Sequence, residues 1–280
     1  MRKSLGSAPN EDILCVGFGW RQQPLRTPST TRVDYACKQG FLPAPAQRAR
    51  QRRTVAMIGW FKRTRLLRCL PDAVVLTAMP AGAGRELYLT FDAGPDPQHT
   101  PPLLDLLRQH QVRATFFLIG SKAERHPQLV RRMLDEGHRL GNHSWSHPDF
   151  NRLSLAAKMD EIDRTDRVLQ AFDGVRHHGV RPPSGAFSLA LTLRLARQRR
   201  RLLYWSYDSL DYQRRPPAEL VAAMRARPPR PGDVMLMHDD GDCCIGMLET
   251  LLPQWRSEGF EFRALPTGAD VDAAVEGARA

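Results

Sequence analysis

No stretch of this chain approaches the roughly 18 uninterrupted apolar residues of a membrane-spanning helix, so the sequence offers no transmembrane segment. A secretory signal is also missing. It would need an apolar core of roughly 7 to 15 residues behind a basic start, and the nearest candidate, residues 66–79, is cut by Arg68, Pro71 and Asp72. A cytoplasmic location is therefore the expectation. Cysteine is sparse and badly spaced: Cys15, Cys37 and Cys69 are scattered, while Cys243 and Cys244 are adjacent, which excludes a disulfide framework or a Cys-x-x-Cys site. A reducing compartment fits, with the adjacent pair as small apolar residues in a loop. Gly82 and Gly84 are too few and wrongly spaced for a phosphate loop. No zinc-finger, helix-turn-helix or aromatic-basic sheet motif is present, so no nucleic-acid partner is expected.

What the chain has in excess is positive charge, in one place. Its 280 residues carry a formal net charge of +11. Residues 1–84 hold 14 Lys and Arg against Glu11, Asp12, Asp34 and Asp72, a net of +10, and the remainder is nearly neutral at +1. The same segment lacks sustained hydrophobic periodicity and carries Pro24, Pro28, Pro43 and Pro45, which predicts a poorly ordered basic extension. A start at Met57 would omit most of it. The later run Arg197 to Arg201 suits a solvated helix end, where cations favour the macrodipole, and His177 and His178 read as loop surface.

From Arg85 onward, short apolar runs alternate with longer amphipathic ones. Residues 86–92, 114–120, 139–143, 179–182, 202–208, 233–239 and 260–265 read as strands. Residues 101–110, 127–136, 155–172, 189–200, 217–227 and 245–258 read as helices, with Pro near several starts and Gly137 and Gly259 after two ends. This alternation predicts a parallel sheet, as a distorted, short (β/α) barrel of about seven parallel strands, with a doubly wound sheet as the alternative. The implied domains are an extension over residues 1–84, a catalytic domain over 85–267 and a tail over 268–280.

Reactive side chains gather at predicted strand ends, where active sites of such barrels form. Asp92 ends the first strand, His143 the third, Arg181 the fourth and His238 the sixth, while Asp208 and Asp211 follow the fifth. His143 and His147 stand four apart, a spacing that lets two imidazoles reach one divalent ion. Individually, Arg181 could make a surface salt bridge, and Asp208 and Asp211 could be turn formers.

Taken together, these segments resemble the polysaccharide deacetylase family, carbohydrate esterase family four, over about residues 85–265. Thr90-Phe91-Asp92-Ala93-Gly94-Pro95 is similar to the family's Thr-Phe-Asp-Asp-Gly-Pro motif, and His143-Ser144-Trp145-Ser146-His147 to its His-Ser/Thr-x-x-His element. Arg181-Pro182-Pro183-Ser184-Gly185, Asp208-Ser209-Leu210-Asp211-Tyr212 and Leu236-Met237-His238-Asp239 resemble the third, fourth and fifth motifs.

The resemblance implies metal-assisted removal of an N-acetyl group from an acetylated sugar or polysaccharide. It assigns a divalent metal, zinc, to His143 and His147, general base to Asp92 with Arg181 beside it, and general acid to His238 oriented by Asp211. The Ser184 backbone N–H would meet the oxyanion, and Tyr212 and Leu236 would line the acetyl pocket. Three departures from the family pattern stand out. Ala93 occupies the place of a metal-binding Asp, leaving one protein ligand fewer than the usual three. Ser184 replaces an aromatic residue and Tyr212 a Trp. Asp92 turning onto the metal, or Asp96 reaching in, are the ways the chain could compensate. The alternative function is a carbohydrate-binding protein without turnover.

Overall fold

The strand β2 (Glu86–Asp92) shows how this sequence makes a barrel. Its side chains alternate: Leu87, Leu89 and Phe91 join one hydrophobic cluster, while Tyr88 joins the other. Period-two alternation sends the first set outward, under the helices, and the second inward. Along the same strand, Thr90 and Asp92 fall on the inward side. Placing polar residues inside is tolerable only where they are answered by partners, as they are at the top of this barrel.

The computed structural model describes residue 67 and residues 70–80 and 84–266, all within the unit Ala49–Ala280. In chain order the main elements are β1 (Val75–Leu76), β2, α1 (Thr100–Gln109), β3 (Thr115–Leu118), α2 (Gly120–Arg125), α3 (Pro127–Asp135) and β4 (Arg139–Asn142). There follow α4 (Leu155–Asp173), α5 (Leu189–Arg197), β5 (Leu202–Leu203), β6 (Tyr207–Asp208), α6 (Pro217–Ala226), β7 (Val234–His238), α7 (Asp242–Ser257) and β8 (Glu261–Phe262). Local signals set several ends. Pro opens α1, α3 and α6, and the Ser154 hydroxyl accepts the Ala157 N–H at the start of α4, which Gly174 closes in a left-handed conformation.

The strands run in parallel in the order β4, β3, β2, β7, β6, with β8 on the lower end of β2. Val180 bridges Asn142 on one side and Leu202 on the other, both in parallel. Residues 202–208 pass from β5 to β6, which pairs with β7, so the ring closes as the distorted parallel barrel expected from the alternation. Its outer face is covered by helices such as α1 and α7, whose Leu103, Leu107, Leu248 and Leu251 are buried in the outer cluster.

The structure corrects several expectations. The expected extension is partly structured: Val75 and Leu76 pair with Leu202 and Leu203, and Leu67, Val75, Leu76 and Met79 are buried in the inner cluster. Two residues of strand are too short to show a period, which is why they escaped notice. Residues 1–66 and the tail 268–280 lie outside the described residues. The single run expected over 202–208 is interrupted, because the carbonyls of Leu203 and Tyr204 turn to Arg181. Cys243 and Cys244 sit in the first turn of α7, not in a loop. His178 and Arg200 are buried, not surface: His178 binds Asp166 (3.2 Å) and Asp173 (3.0 Å), and Arg200 binds Asp166 and Asp163.

A chain begun at Arg85 loses β1. Each large apolar side chain removed from the inner cluster is worth about 1.5 to 3 kcal/mol, so this truncation is expected to lower stability by several kcal/mol in urea unfolding relative to the full chain. Equal midpoints would show that β1 is dispensable.

Candidate active site

The site is built at the C-terminal ends of the parallel strands, beginning with a buried ion pair. Arg181 follows Val180, and none of its surface reaches solvent. Its Nη1 donates to Asp92 Oδ1 at 2.6 Å and to Thr90 Oγ1 at 2.7 Å; Nε and Nη2 donate to the carbonyls of Leu203 (3.0 Å) and Tyr204 (2.9 Å). Its guanidinium also lies 3.9 Å from the centre of the Phe117 ring, a cation–π contact. Arg181 is therefore no surface salt bridge, and it holds Asp92 in one orientation. The other carboxylate oxygen of Asp92 lies 3.8 Å from His143 Nε2.

The two histidines of the second motif stand on a tight turn after β4. His143 Nδ1 donates to the Arg181 carbonyl at 2.7 Å, which fixes the tautomer and leaves Nε2 bare. Burial, with His147 and Arg181 adding to it, pushes its pKa down to about 4 against the pull of Asp92. The ring is thus neutral, as a metal ligand must be. Asn142 organises the turn. Its Oδ1 accepts the Ser144 N–H (3.0 Å), its Nδ2 donates to Asp166 (2.7 Å), and Ser144 Oγ accepts the His147 N–H (3.1 Å). Ser144 and His147 adopt positive φ, and the two imidazole rings lie 5.0 Å apart. Burial also lowers the pKa of His147, with Lys122 and His238 contributing.

This pair does not amount to a three-ligand metal centre. Among the described residues no group of three His, Cys, Asp or Glu side chains is placed to hold an ion. Ala93 offers a methyl group where the family motif has a carboxylate. Asp92 is held by Arg181, and Asp96 faces the start of α1, where its Oδ1 accepts the N–H groups of Gln98 and His99, each at 2.9 Å. Among the described residues neither carboxylate joins the histidine pair in a group of three donors.

A second cluster faces the first across the β2–β7 pairing, in which Asp92 and His238 are register partners. Neighbouring strands lie about 4.8 Å apart, so both residues open onto one site. His238 Nδ1 donates to Asp211 Oδ1 (2.8 Å), and its backbone N–H to Asp211 Oδ2 (2.7 Å). Burial opposes charge on this ring, but the hydrogen bond and negative charge of Asp211, with Asp92 and Asp240, raise its pKa to about 9. Burial, assisted by Asp211, raises Asp208 to about 6, while its Oδ1 caps the Leu210 N–H at 2.9 Å. The Tyr212 ring meets His238 edge-on at 5.6 Å and is 46% exposed, an open aromatic wall. Leu236 is buried on the inward side of β7, and Ser184 is exposed, with φ of 53°.

Sequence reasoning passed over the groups that shape the loop at residues 92–96. Ala93 has φ of 74°, a conformation in which Asp and Asn are several-fold commoner than most side chains. Lys122 Nζ donates to its carbonyl at 2.7 Å, and the Ile119 N–H to that of Gly94 at 2.9 Å. A Cβ on Gly94 would collide with the buried carboxylate of Asp239, so only glycine fits there. Asp239 Oδ2 accepts the Thr100 hydroxyl at 2.7 Å, Oδ1 has no hydrogen-bond partner among the described residues, and burial raises the pKa to about 7. Ala93 and Gly94 stand in the first motif and Asp239 in the fifth, whereas Lys122 and Ile119 carry no sequence signal.

Comparison with known proteins agrees with this geometry. Residues 80–200 match the pattern of the family described as polysaccharide deacetylase. The chain is 35% identical over 207 residues to a chitooligosaccharide deacetylase from Sinorhizobium fredii, covering 68% of this chain and 95% of that protein. It is 34% identical over 196 residues to the peptidoglycan-N-acetylglucosamine deacetylase PgdA of Listeria monocytogenes, which covers 70% of this chain but only 41% of the relative's length. The structure of peptidoglycan deacetylase PdaC from Bacillus subtilis superposes with a TM-score of 0.63 at 27% identity, covering 70% of this chain and 94% of that one. With the motifs, the barrel and these relatives in agreement, the chain belongs to the polysaccharide deacetylase family.

Proposed function

We propose that this chain acts on N-acetylated sugars of the peptidoglycan or chitooligosaccharide class, as a hydrolase of the acetamide whose turnover is impaired at Ala93. The observation that carries this proposal is the facing of Asp92 and His238 in register on β2 and β7, each oriented by its own charged partner. Asp92 takes the proton of the attacking water, and Arg181 fixes the carboxylate that receives it. His238, protonated at neutral pH, gives its proton to the sugar nitrogen as the C–N bond breaks, since an amide anion is a poor leaving group. Asp211 stabilises the charged ring and orients it. The Ser184 N–H serves the developing oxyanion, and Tyr212 and Leu236 bound the acetyl group.

The weak point is the metal. Zinc on His143 and His147 needs a further protein donor, and Ala93 has none. Loss of even an outer partner of a metal site typically costs 10- to 100-fold in affinity or activity, so loss of a direct ligand costs at least that. The same defect supports a second role, in which the cleft retains sugars without cleaving them.

Ala93→Asp, assayed with added zinc on N-acetylglucosamine oligomers, is expected to release acetate at least about 100-fold faster than the unaltered chain. Acetate from neither form would refute the hydrolase assignment, and sugar binding without acetate from both would establish the second role.

The pH dependence follows from His238. The acid is its protonated form, so activity of the Ala93→Asp protein is expected to fall as pH rises through about 9. Asp211→Asn removes the largest group sustaining that charge and should move the alkaline limb toward neutrality. Because the folded pKa lies above the unfolded value, the pair's contribution to stability is full below about 6.5 and disappears through about 9. An alkaline limb unmoved by Asp211→Asn would exclude His238 as the acid.

A further inference from the structure

The site holds three cationic side chains, and two of them have a carboxylate of their own. Arg181 is bonded to Asp92 and His238 to Asp211. The third, Lys122 in α2, donates instead to a backbone oxygen, the Ala93 carbonyl, at 2.7 Å, and among the described residues it forms no ion pair. Its side chain is half-buried, where charge is screened less than on an open surface. The start of α2 is also bonded to the second motif, since the Gly120 N–H donates to the Ser144 carbonyl and the Ser121 N–H to the Trp145 carbonyl, each at 3.0 Å. Asp239 is a carboxyl on which the Lys122 charge acts. That carboxyl, however, lies under Gly94 with Thr100 on one oxygen, it forms no ion pair with Lys122, and burial raises its pKa to about 7.

We infer that Lys122 is the resident cation of this site: bonded to the Ala93 carbonyl from a helix whose first residues hold the histidine turn, its ammonium takes the place in the charge balance that a divalent ion would take. The inference rests on the proposal that residue 93 is where a metal ligand is missing. It adds that the missing carboxylate is only half of the change. A divalent ion approaching the histidine pair meets a fixed positive charge on the backbone of the same loop. A carboxylate introduced at position 93 is offered to Lys122 as well as to the metal, so it is partly neutralised before an ion arrives. Restoring the ligand alone therefore gives a weak metal site, and restoring it while removing the ammonium gives a strong one.

The test is calorimetric titration of the full chain with zinc alone at neutral pH, so the readout does not depend on catalysis. Three proteins are compared: Ala93→Asp, Ala93→Asp with Lys122→Met, and Ala93→Asp with Lys122→Arg, each shown by thermal melting to be folded. Lys122→Met is expected to tighten zinc binding at least tenfold over Ala93→Asp alone, whereas Lys122→Arg, which keeps the charge, leaves it within about threefold. Equal affinity in all three, or weaker binding with Lys122→Met, would overturn the inference while leaving Ala93 as the missing ligand. Absence of zinc binding in all three would overturn both. Should Lys122→Met fail to fold, Lys122→Gln takes its place with the same expected tightening.

Discussion

A guanidinium with no water around it must find acceptors in the protein, and Arg181 finds four. Through Asp92, Thr90, Leu203 and Tyr204 it joins β2 to the start of the irregular run between β5 and β6, while its own carbonyl orients His143. Removing one partner of a buried ion pair typically costs about 3 to 5 kcal/mol, because the other charge remains unanswered. The pair is therefore a constraint on the fold before it is a device of the site. The barrel's irregular segment stops pairing where its carbonyls are needed by Arg181, and the carboxylate at the end of β2 is held where a reaction can use it.

Around that fixed centre the loop after Asp92 is set by packing that does not depend on residue 93. Gly94 is pressed against Asp239, the Gly94 carbonyl accepts from Ile119, and Lys122 holds the carbonyl of Ala93. The left-handed backbone at Ala93 is thus imposed by its surroundings, at a position where a methyl side chain makes no polar contact of its own. Asp92, His238 and the histidine turn keep the arrangement on which the proposed amide hydrolysis rests. The ammonium of Lys122 beside them is the inferred substitute for a divalent ion.

Much of this was legible in the sequence. The alternation of strands and helices gave the parallel barrel because each long element carried a clear period, and β2 has the predicted bounds. The reactive residues could be found because parallel strands deliver their C-terminal ends to one face. What escaped was short or non-local. β1 is two residues long, and α2 lies within six residues of apparent strand and loop. His178 and Arg200 looked like surface because local patterning cannot reveal Asp166, which approaches both from α4. Lys122 belongs to no motif, and its bond to Ala93 spans 29 residues of sequence.

The central claim is that residue 93 is where the proposed metal site lacks its carboxylate, and locating zinc directly puts it most sharply to the test. Crystals of the unaltered chain and of Ala93→Asp, both soaked in zinc and measured across its absorption edge, should differ at one place. The account predicts an anomalous peak about 2.0 to 2.2 Å from a nitrogen of each of His143 and His147 and from the new carboxylate, with no peak at the pair in the unaltered chain. A peak of equal height between the two histidines in both crystals would contradict it.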